Sequence, residues 1–406
     1  MSSYRRTFTE VLSRRMRLGG LLMVVTLGFT LGACNSSSNS SSNSRPRPTP
    51  TATATATSTA TATATVAPTA TPTSTPAKTG GLWVPNLFGP SVNEFDPPSR
   101  AVSGNPLPQF FDESASLLLP AGLAFDSSQN LWVTNCSDPI LGAGAVTEFT
   151  AAQLANLGND SAPVPNKSLL DDGSFTLLNC PWGVQFDAAG NLWILNRSLP
   201  DLVSYSPAQL ATGGALTPDT TITSTSFGSP RGIVFDASAN LWIVENQNQQ
   251  VLAYKAATLA ASLGHSGQVN PDIVISSMSF GDPRAITFDG SGNLWLADAT
   301  GKMLEFVAAD LTMTGTPTPK VTITSTAVVT QDGVALSLDF PEGLAFDSAG
   351  NLWVANLESD NAGSLAEFTP AQLASSGSPS PAVFLDSDIF GINIHQPALL
   401  TFGPIP

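Results

Sequence analysis

The sequence predicts an all-β fold, a six-bladed β-propeller, for the chain from about Lys78 to Pro406. Three observations predict it. A unit of the form Gly-Leu-Ala-Phe-Asp followed by Asn-Leu-Trp stands at Gly122 to Asp126 with Trp132, and again at Gly343 to Asp347 with Trp353. Variants stand at Gly183 to Asp187 with Trp193, Gly232 to Asp236 with Trp242, and Ala285 to Asp289 with Trp295. A sixth Leu-Trp pair, Leu82-Trp83, opens the series, and successive Trp residues lie 49, 61, 49, 53 and 58 positions apart. That period fits a four-stranded propeller blade rather than a helical solenoid repeat. Finally, Leu82-Trp83-Val84 reads as a second strand lacking a first, whereas the C-terminal Pro397 to Phe402 matches Pro120 to Phe125 and lacks a second. Joining the two ends completes blade one and removes an open sheet edge.

Each unit justifies its own strands. Alternating apolar positions such as Leu123 and Phe125 make the first strand, and Leu-Trp followed by Val, Ile or Leu begins the second. The Asp-x-x-Gly/Ala/Gln-Asn between them suits a tight turn. Asp accepts backbone N–H bonds two residues on, and Asn or Gly tolerates positive φ. Third strands lie at Val146 to Phe149, Leu202 to Tyr205, Val251 to Tyr254, Met303 to Phe306 and Leu365 to Phe368. An Ala-Gln-Leu segment after Thr150, Ser206 and Thr369 predicts one helical turn with these residues as N-caps. A Pro then introduces the outer strand, as before Ile273 to Ile275 and Val321 to Ile323, where it removes no ladder bond. A single occurrence of Asp126 or Trp132 would invite a functional reading; repetition once per blade assigns the Asp series to the turns and the Trp series to packing between blades.

The region before Lys78 is of another kind. Residues 1–33 read as a signal peptide: a basic stretch through Arg17, an apolar run from Leu18 to Leu31, then Gly32 and Ala33. Leu31-Gly32-Ala33-Cys34 resembles the bacterial lipobox, which implies cleavage before Cys34 and acylation of its thiol; an uncleaved anchor with an incidental Cys is the alternative. Two acyl chains give stable anchoring without a spanning helix. Asn35 after the Cys implies, by resemblance to lipoprotein sorting, an exported protein held at the outer membrane or cell surface. Residues 34–77 hold that Cys and a Ser/Thr/Ala/Pro tether without hydrophobic periodicity, expected to be disordered and extended. The formal charge of −15 disfavours phosphate backbones, so no nucleic-acid partner is expected. Three Cys and two His are too few for zinc clusters, and no metal or cofactor is expected.

The Gly-Leu-Ala-Phe-Asp-x-x-Gly-Asn-Leu-Trp-Val-x-Asn copies resemble NHL-repeat propellers over the whole region from Lys78. The resemblance implies a six-bladed ring and, for function, either a binding scaffold or an enzyme of lactonase or lyase type. Gluconolactonase-like relatives place Asn and Asp calcium ligands before the first-strand Gly together with a Glu. Only Glu342 stands in such a place, while Arg231 and Arg284 occupy others. Streptogramin-lyase-like relatives use a catalytic His, whereas His265 and His395 fall in loops outside that pattern. A site is therefore sought where the copies differ from one another.

In Pro-x-Gly, at the entry of each first strand, x is Ala121, Trp182, Arg231, Arg284, Glu342 and Ala398. The second strands end near the same rim in Asn86, Asn135, Asn196, Glu245, Asp298 and Asn356. Forked Arg donors, an indole face and amides suit a small acidic or polar ligand, a glycan or a protein. Pairing of Arg231 and Arg284 with Glu342, Glu245 or Asp298 around a water-filled pore is the purely structural alternative. Cys136 and Cys180 fall on this rim too and are expected to form a disulfide, two free buried thiols being the other possibility.

Overall fold

The computed structural model of this chain describes residues 80–404, apart from 90, 111–115, 138–143, 157–162, 175, 330–333, 358–362, 387–393 and 395. Cys34, the tether and His395 lie outside the described residues. Six sheets form the blades, each with four antiparallel strands, and that of blade three gains a fifth, parallel strand from Ser266–Gln268. Blade two, outward from the axis, runs Pro120–Phe125, Leu131–Asn135, Ala145–Phe149 and Lys167–Leu170. Blades three to six repeat it from first strands Pro181–Phe186, Pro230–Phe235, Pro283–Phe288 and Pro341–Phe346. Blade one is closed by the C-terminus: Gly81, Leu82 and Trp83 pair antiparallel with Gly403, Phe402 and Thr401. A small hairpin, Ala327–Val329 with Val334–Leu336, forms a separate two-stranded sheet whose Val328 and Ala335 pack against the core between blades five and six.

The core is divided among the wedges between blades. Trp132 packs with Val184, Ile194 and Val203 of blade three, and Trp83 packs with Leu123 and Val133 of blade two. The repeated Phe of the next first strand meets four of the six indoles edge-on: Trp83–Phe125 at 5.6 Å, Trp132–Phe186 at 6.1 Å, Trp242–Phe288 at 5.8 Å and Trp295–Phe346 at 6.3 Å. The Trp series is thus wedge packing, and its geometry is the edge-to-face one that ring quadrupoles prefer.

The repeated Asp builds the turn. Asp236 Oδ1 accepts the N–H groups of Ser238 (2.8 Å) and Asn240 (2.9 Å), and its Oδ2 accepts Asn240 Nδ2 (2.8 Å) and Trp242 Nε1 (2.8 Å). The same four bonds recur from Asp126, Asp187 and Asp289. The turn Asn then caps the blade's helix, Asn240 Oδ1 taking Ala256 N–H at 3.0 Å. The Ala-Gln-Leu turns form at Ala151–Leu154, Pro207–Thr212 and Pro370–Leu373, with capping boxes from Thr150, Ser206 and Thr369.

The blades are also stitched at the periphery, which the repeat pattern did not predict. The outer strands of blades two to five each take a parallel partner from the next blade's linker: Leu169 with Gly214, Thr221–Thr223 with Ser266–Gln268, Ile275 with Gly315, and Ile323 with Gly377. Leu385 of blade six takes Gly104 of blade one, so the ring is closed a second time at its rim. Outer edges that would otherwise offer unpaired N–H and C=O groups are covered.

Candidate functional site at the channel rim

The Pro-x-Gly side chains converge on the axis and fill it. Arg231 Nη1 donates to Glu342 Oε1 at 2.6 Å and Arg284 Nη1 to Glu342 Oε2 at 2.9 Å, so one carboxylate serves guanidiniums from two other blades. Arg284 is also held bidentate by Asp282 (2.7 and 2.6 Å), which accepts a further bond from Asn246 Nδ2. Trp182 lies between cations: the guanidinium carbons of Arg197 and Arg231 are 4.7 and 5.3 Å from its ring. Its other neighbours are Ala121, Ala398, Leu87 and Leu357. Arg231 and Glu342 are buried, whereas Arg284 and Asp282 reach solvent. Burial draws the Arg231 guanidinium down to about 10; Glu342 opposes this, and Arg197 and Arg284 add to it. Burial alone would raise the Asp282 carboxyl, but its bonds from Arg284 and Asn246 hold it below the usual range.

The second-strand ends do another job. Asn135, Asn196, Glu245, Asp298 and Asn356 are buried, and they clamp the loop leading into their own blade's first strand. Asn135 and Asn196 Oδ1 each accept one loop N–H, from Leu118 and Asn179, at 3.1 Å. Glu245 accepts the N–H groups of Gly228, Ser229 and Asn248, and Asp298 those of Gly281, Asp282 and Thr300. Asn356 donates to Ser337 O and Ser364 Oγ, both at 3.1 Å. Arg231 and Arg284 therefore pair with Glu342, while Glu245 and Asp298 are committed to backbone. Where the second strand ends in Asn, the residue before the strand Pro is left-handed: Leu119 at φ 58°, Cys180 at 56°, Phe340 at 52° and Gln396 at 52°. Left-handed non-glycine residues are costly and sit here on one rim. Blades four and five, which supply both channel arginines, have a carboxylate clamp and no such residue.

Cys136 and Cys180 form the disulfide, joining the exit of blade two's second strand to the entry of blade three. Cys180 lies in the Trp182 cluster, so the bond braces that side of the plug. The side chains that sequence reasoning passed over are Asp282, Asn246 and Arg197. Asp282 had a signal: it precedes Pro283 where the other blades carry Leu119, Cys180, Ser229, Phe340 and Gln396. His265 is exposed at the outer edge, its carbonyl accepting Thr221 N–H at 3.1 Å. Among the described residues no three His, Cys, Asp or Glu side chains come together as a metal site.

One residue past the plug a well of about 290 Å³ begins, lined by Gly122, Gly232 and Ala285 and continuing to Phe288, Phe346 and Phe402. Gly122, Gly183 and Gly343 are required where blades crowd the axis: a Cβ would fall 2.2, 2.4 and 2.3 Å from the carbonyl oxygens of Trp182, Arg231 and Ala398. The channel is thus a well that ends at the plug, not an open pore.

No family model and no curated protein matches the sequence. Among solved structures, a chain of a nidogen/laminin complex matches with a TM-score of 0.51 at 13% identity, over 80% of this chain and 98% of that one. A protein of unknown function from Bacteroides caccae matches with a TM-score of 0.50 at 10% identity, over 79% and 97%. These likenesses show the fold alone. A streptogramin B lyase, with a TM-score of 0.41 at 13% identity over 69% and 74%, is too distant to carry an argument. Function is therefore argued from the rim of this propeller itself.

Proposed function

We propose that this chain is an exported propeller, held in the bacterial envelope by lipid on Cys34, that acts as a non-catalytic binding or scaffold module through its channel rim. The observation that carries this reading is where the repeat departs from itself. Turns, indoles and clamps recur from blade to blade, whereas the six axial positions hold Ala121, Trp182, Arg231, Arg284, Glu342 and Ala398. A ring needs only small residues there to close. Three guanidiniums, an indole and two carboxylates gathered at one end make a charged surface with forked donors, and the partly exposed Arg284, Asp282 and Arg197 are its accessible part. Such groups recognise acidic or polar partners by geometry as well as by charge.

The test is a screen of the full chain for ligand-dependent thermal stabilisation by glycans, small acids and peptides, repeated on Arg284→Ala and on Lys255→Ala at the blade periphery. Binding lost in the first variant and kept in the second supports the rim; binding unchanged in Arg284→Ala contradicts it. The anchor is tested separately. The chain is expected in the membrane fraction of a bacterial host and, as Cys34→Ser, in the soluble fraction; membrane association of that variant contradicts lipidation.

A further inference from the structure

Past the plug, the first strands present a second kind of surface to the axis. Each is the inner edge of its sheet, so half of its backbone groups face no neighbouring strand. The turns fix which half. Asp126 N–H bonds Asn130 O at 3.0 Å, and Asp187, Asp236, Asp289 and Asp347 repeat the bond. In an antiparallel pair the ladder bonds then return two residues earlier, at Ala124 opposite Trp132. The neighbouring Leu123 therefore aims its N–H and C=O at the axis, as do Val184, Ile233, Ile286, Leu344 and Leu400 in the other blades. All six line the well of about 290 Å³, which thus carries a ring of backbone donors and acceptors. The position before the repeated Phe breaks the repeat at the same depth. It is Ala124, Val234 and Ala345 in blades two, four and six, but Gln185, Thr287 and Thr401 in blades three, five and one. Wedge packing needs only a small apolar side chain there, yet three alternate blades supply an amide or a hydroxyl, and all three line the well. Among the described residues the Gln185 amide and the Thr287 hydroxyl have no protein partner; the Thr401 hydroxyl reaches only the adjacent Phe402 O, at 3.5 Å. No charged side chain lines the well, and Phe288, Phe346 and Phe402 stand at its outer end.

We infer that the well is a binding site for a neutral polyhydroxyl compound, a single sugar ring, at the opposite end of the axis from the charged rim. A charged ligand would leave water for walls that offer no counter-charge. A carboxylate only accepts and an ammonium only donates, so either leaves half of the backbone ring unmet; a sugar hydroxyl does both. The three Phe rings give the apolar C–H face of the sugar a surface to lie on. The volume stands at the low end of small-molecule pockets, about 300–1,000 Å³, which suits one ring and not a longer chain. The site shares no side chain with the rim, and the two readings stand or fall separately.

Glucose is the probe, titrated into the full chain beside glucuronate and glucosamine, its anionic and cationic counterparts. Sugars raise melting temperatures without binding, by exclusion from the protein surface, so the readout is the backbone amide resonances. Those of Leu123, Ile233 and Leu344 are expected to shift saturably with glucose and far less with either charged sugar. Gln185→Leu and Thr287→Val each remove the polar group at nearly constant size. Each is expected to weaken binding about two- to tenfold, the worth of one neutral hydrogen bond. Maltose separates the two sources of such a ring: shifts like those of glucose mean that a chain end enters, weaker ones that the free sugar does, and both support the site. The inference is overturned if the three amides do not move, or if glucuronate or glucosamine moves them as far as glucose. It is overturned too if the folded double variant Gln185→Leu/Thr287→Val binds glucose as tightly as the unaltered chain. Binding that is lost in Arg284→Ala and kept in that double variant would place the sugar at the rim and overturn the well.

Discussion

At the scale of single residues, the same position is used differently from blade to blade. Glu148 and Glu305 lie opposite the blade Trp on the third strand and reach Asn166 (2.8 Å) and Lys320 (3.4 Å). Glu94 lies opposite Trp83 in the same way, but it is fully buried and neither carboxylate oxygen has a partner. Burial, reinforced by Asp96 and opposed by Arg100, raises its carboxyl to about 7. The folded chain then keeps a proton that the unfolded chain releases near 4.5. The contribution of Glu94 to stability is complete below that value and is lost as pH climbs to about 7. Glu94→Gln is expected to match the unaltered chain near pH 4 and to exceed it at pH 8 by about 1–2 kcal/mol in denaturant unfolding; equal curves at both pH values would refute this. Glu342 is the opposite case, a carboxylate on which two buried or half-buried guanidiniums depend. Glu342→Ala leaves the buried Arg231 without its carboxylate, while Arg284 keeps Asp282, and is expected to cost about 3–5 kcal/mol. A loss below 1 kcal/mol in the same measurement would mean that the plug does not rest on this pair.

The turns are the elements most legible in the sequence, because their chemistry is local: Asp, a positive-φ residue and Asn within five positions specify the bonds that recur in all five copies. The residue before Asn is left-handed in each copy, as Gly190 at 84°, Gly292 at 79° and Gly350 at 81°, but also as Gln129 at 65° and Ala239 at 60°. Ala239→Gly removes that cost and is expected to stabilise the fold by about 0.5–1 kcal/mol, the flexibility of Gly in the unfolded chain offsetting part of the gain; a lower melting temperature would contradict the turn account. The helical turns and their caps were legible for the same reason. The clamps were not: Asn135 or Glu245 read from sequence only as the polar end of a strand, and what decides their direction is a loop 16 to 17 residues earlier in the chain. The disulfide closes a separation of 44 residues, for which the chain-entropy model gives about 3–4 kcal/mol.

At the scale of the molecule, period and count were legible because every blade repeats the same wedge problem and solves it with the same Trp and Phe. The filled axis was not, since alternation along a strand says nothing about how far six side chains reach across a ring. The outer belt was invisible for a related reason: Gly214, Gly315 and Gly377 pair with a neighbouring blade's edge rather than with their own. The whole arrangement depends on the C-terminal strand, which is the inner edge of blade one and, through the pairing of Asn86 with Pro397, part of the rim. The most direct test compares amide hydrogen exchange in the full chain and in a chain ending at Ile394. In the full chain, Leu82 and Trp83 are expected to be protected as strongly as the second strands Leu192–Asn196 and Leu241–Glu245, and truncation is expected to abolish that protection and lower the melting temperature in a single transition. Protection of Leu82 and Trp83 that survives the truncation would contradict the closed ring.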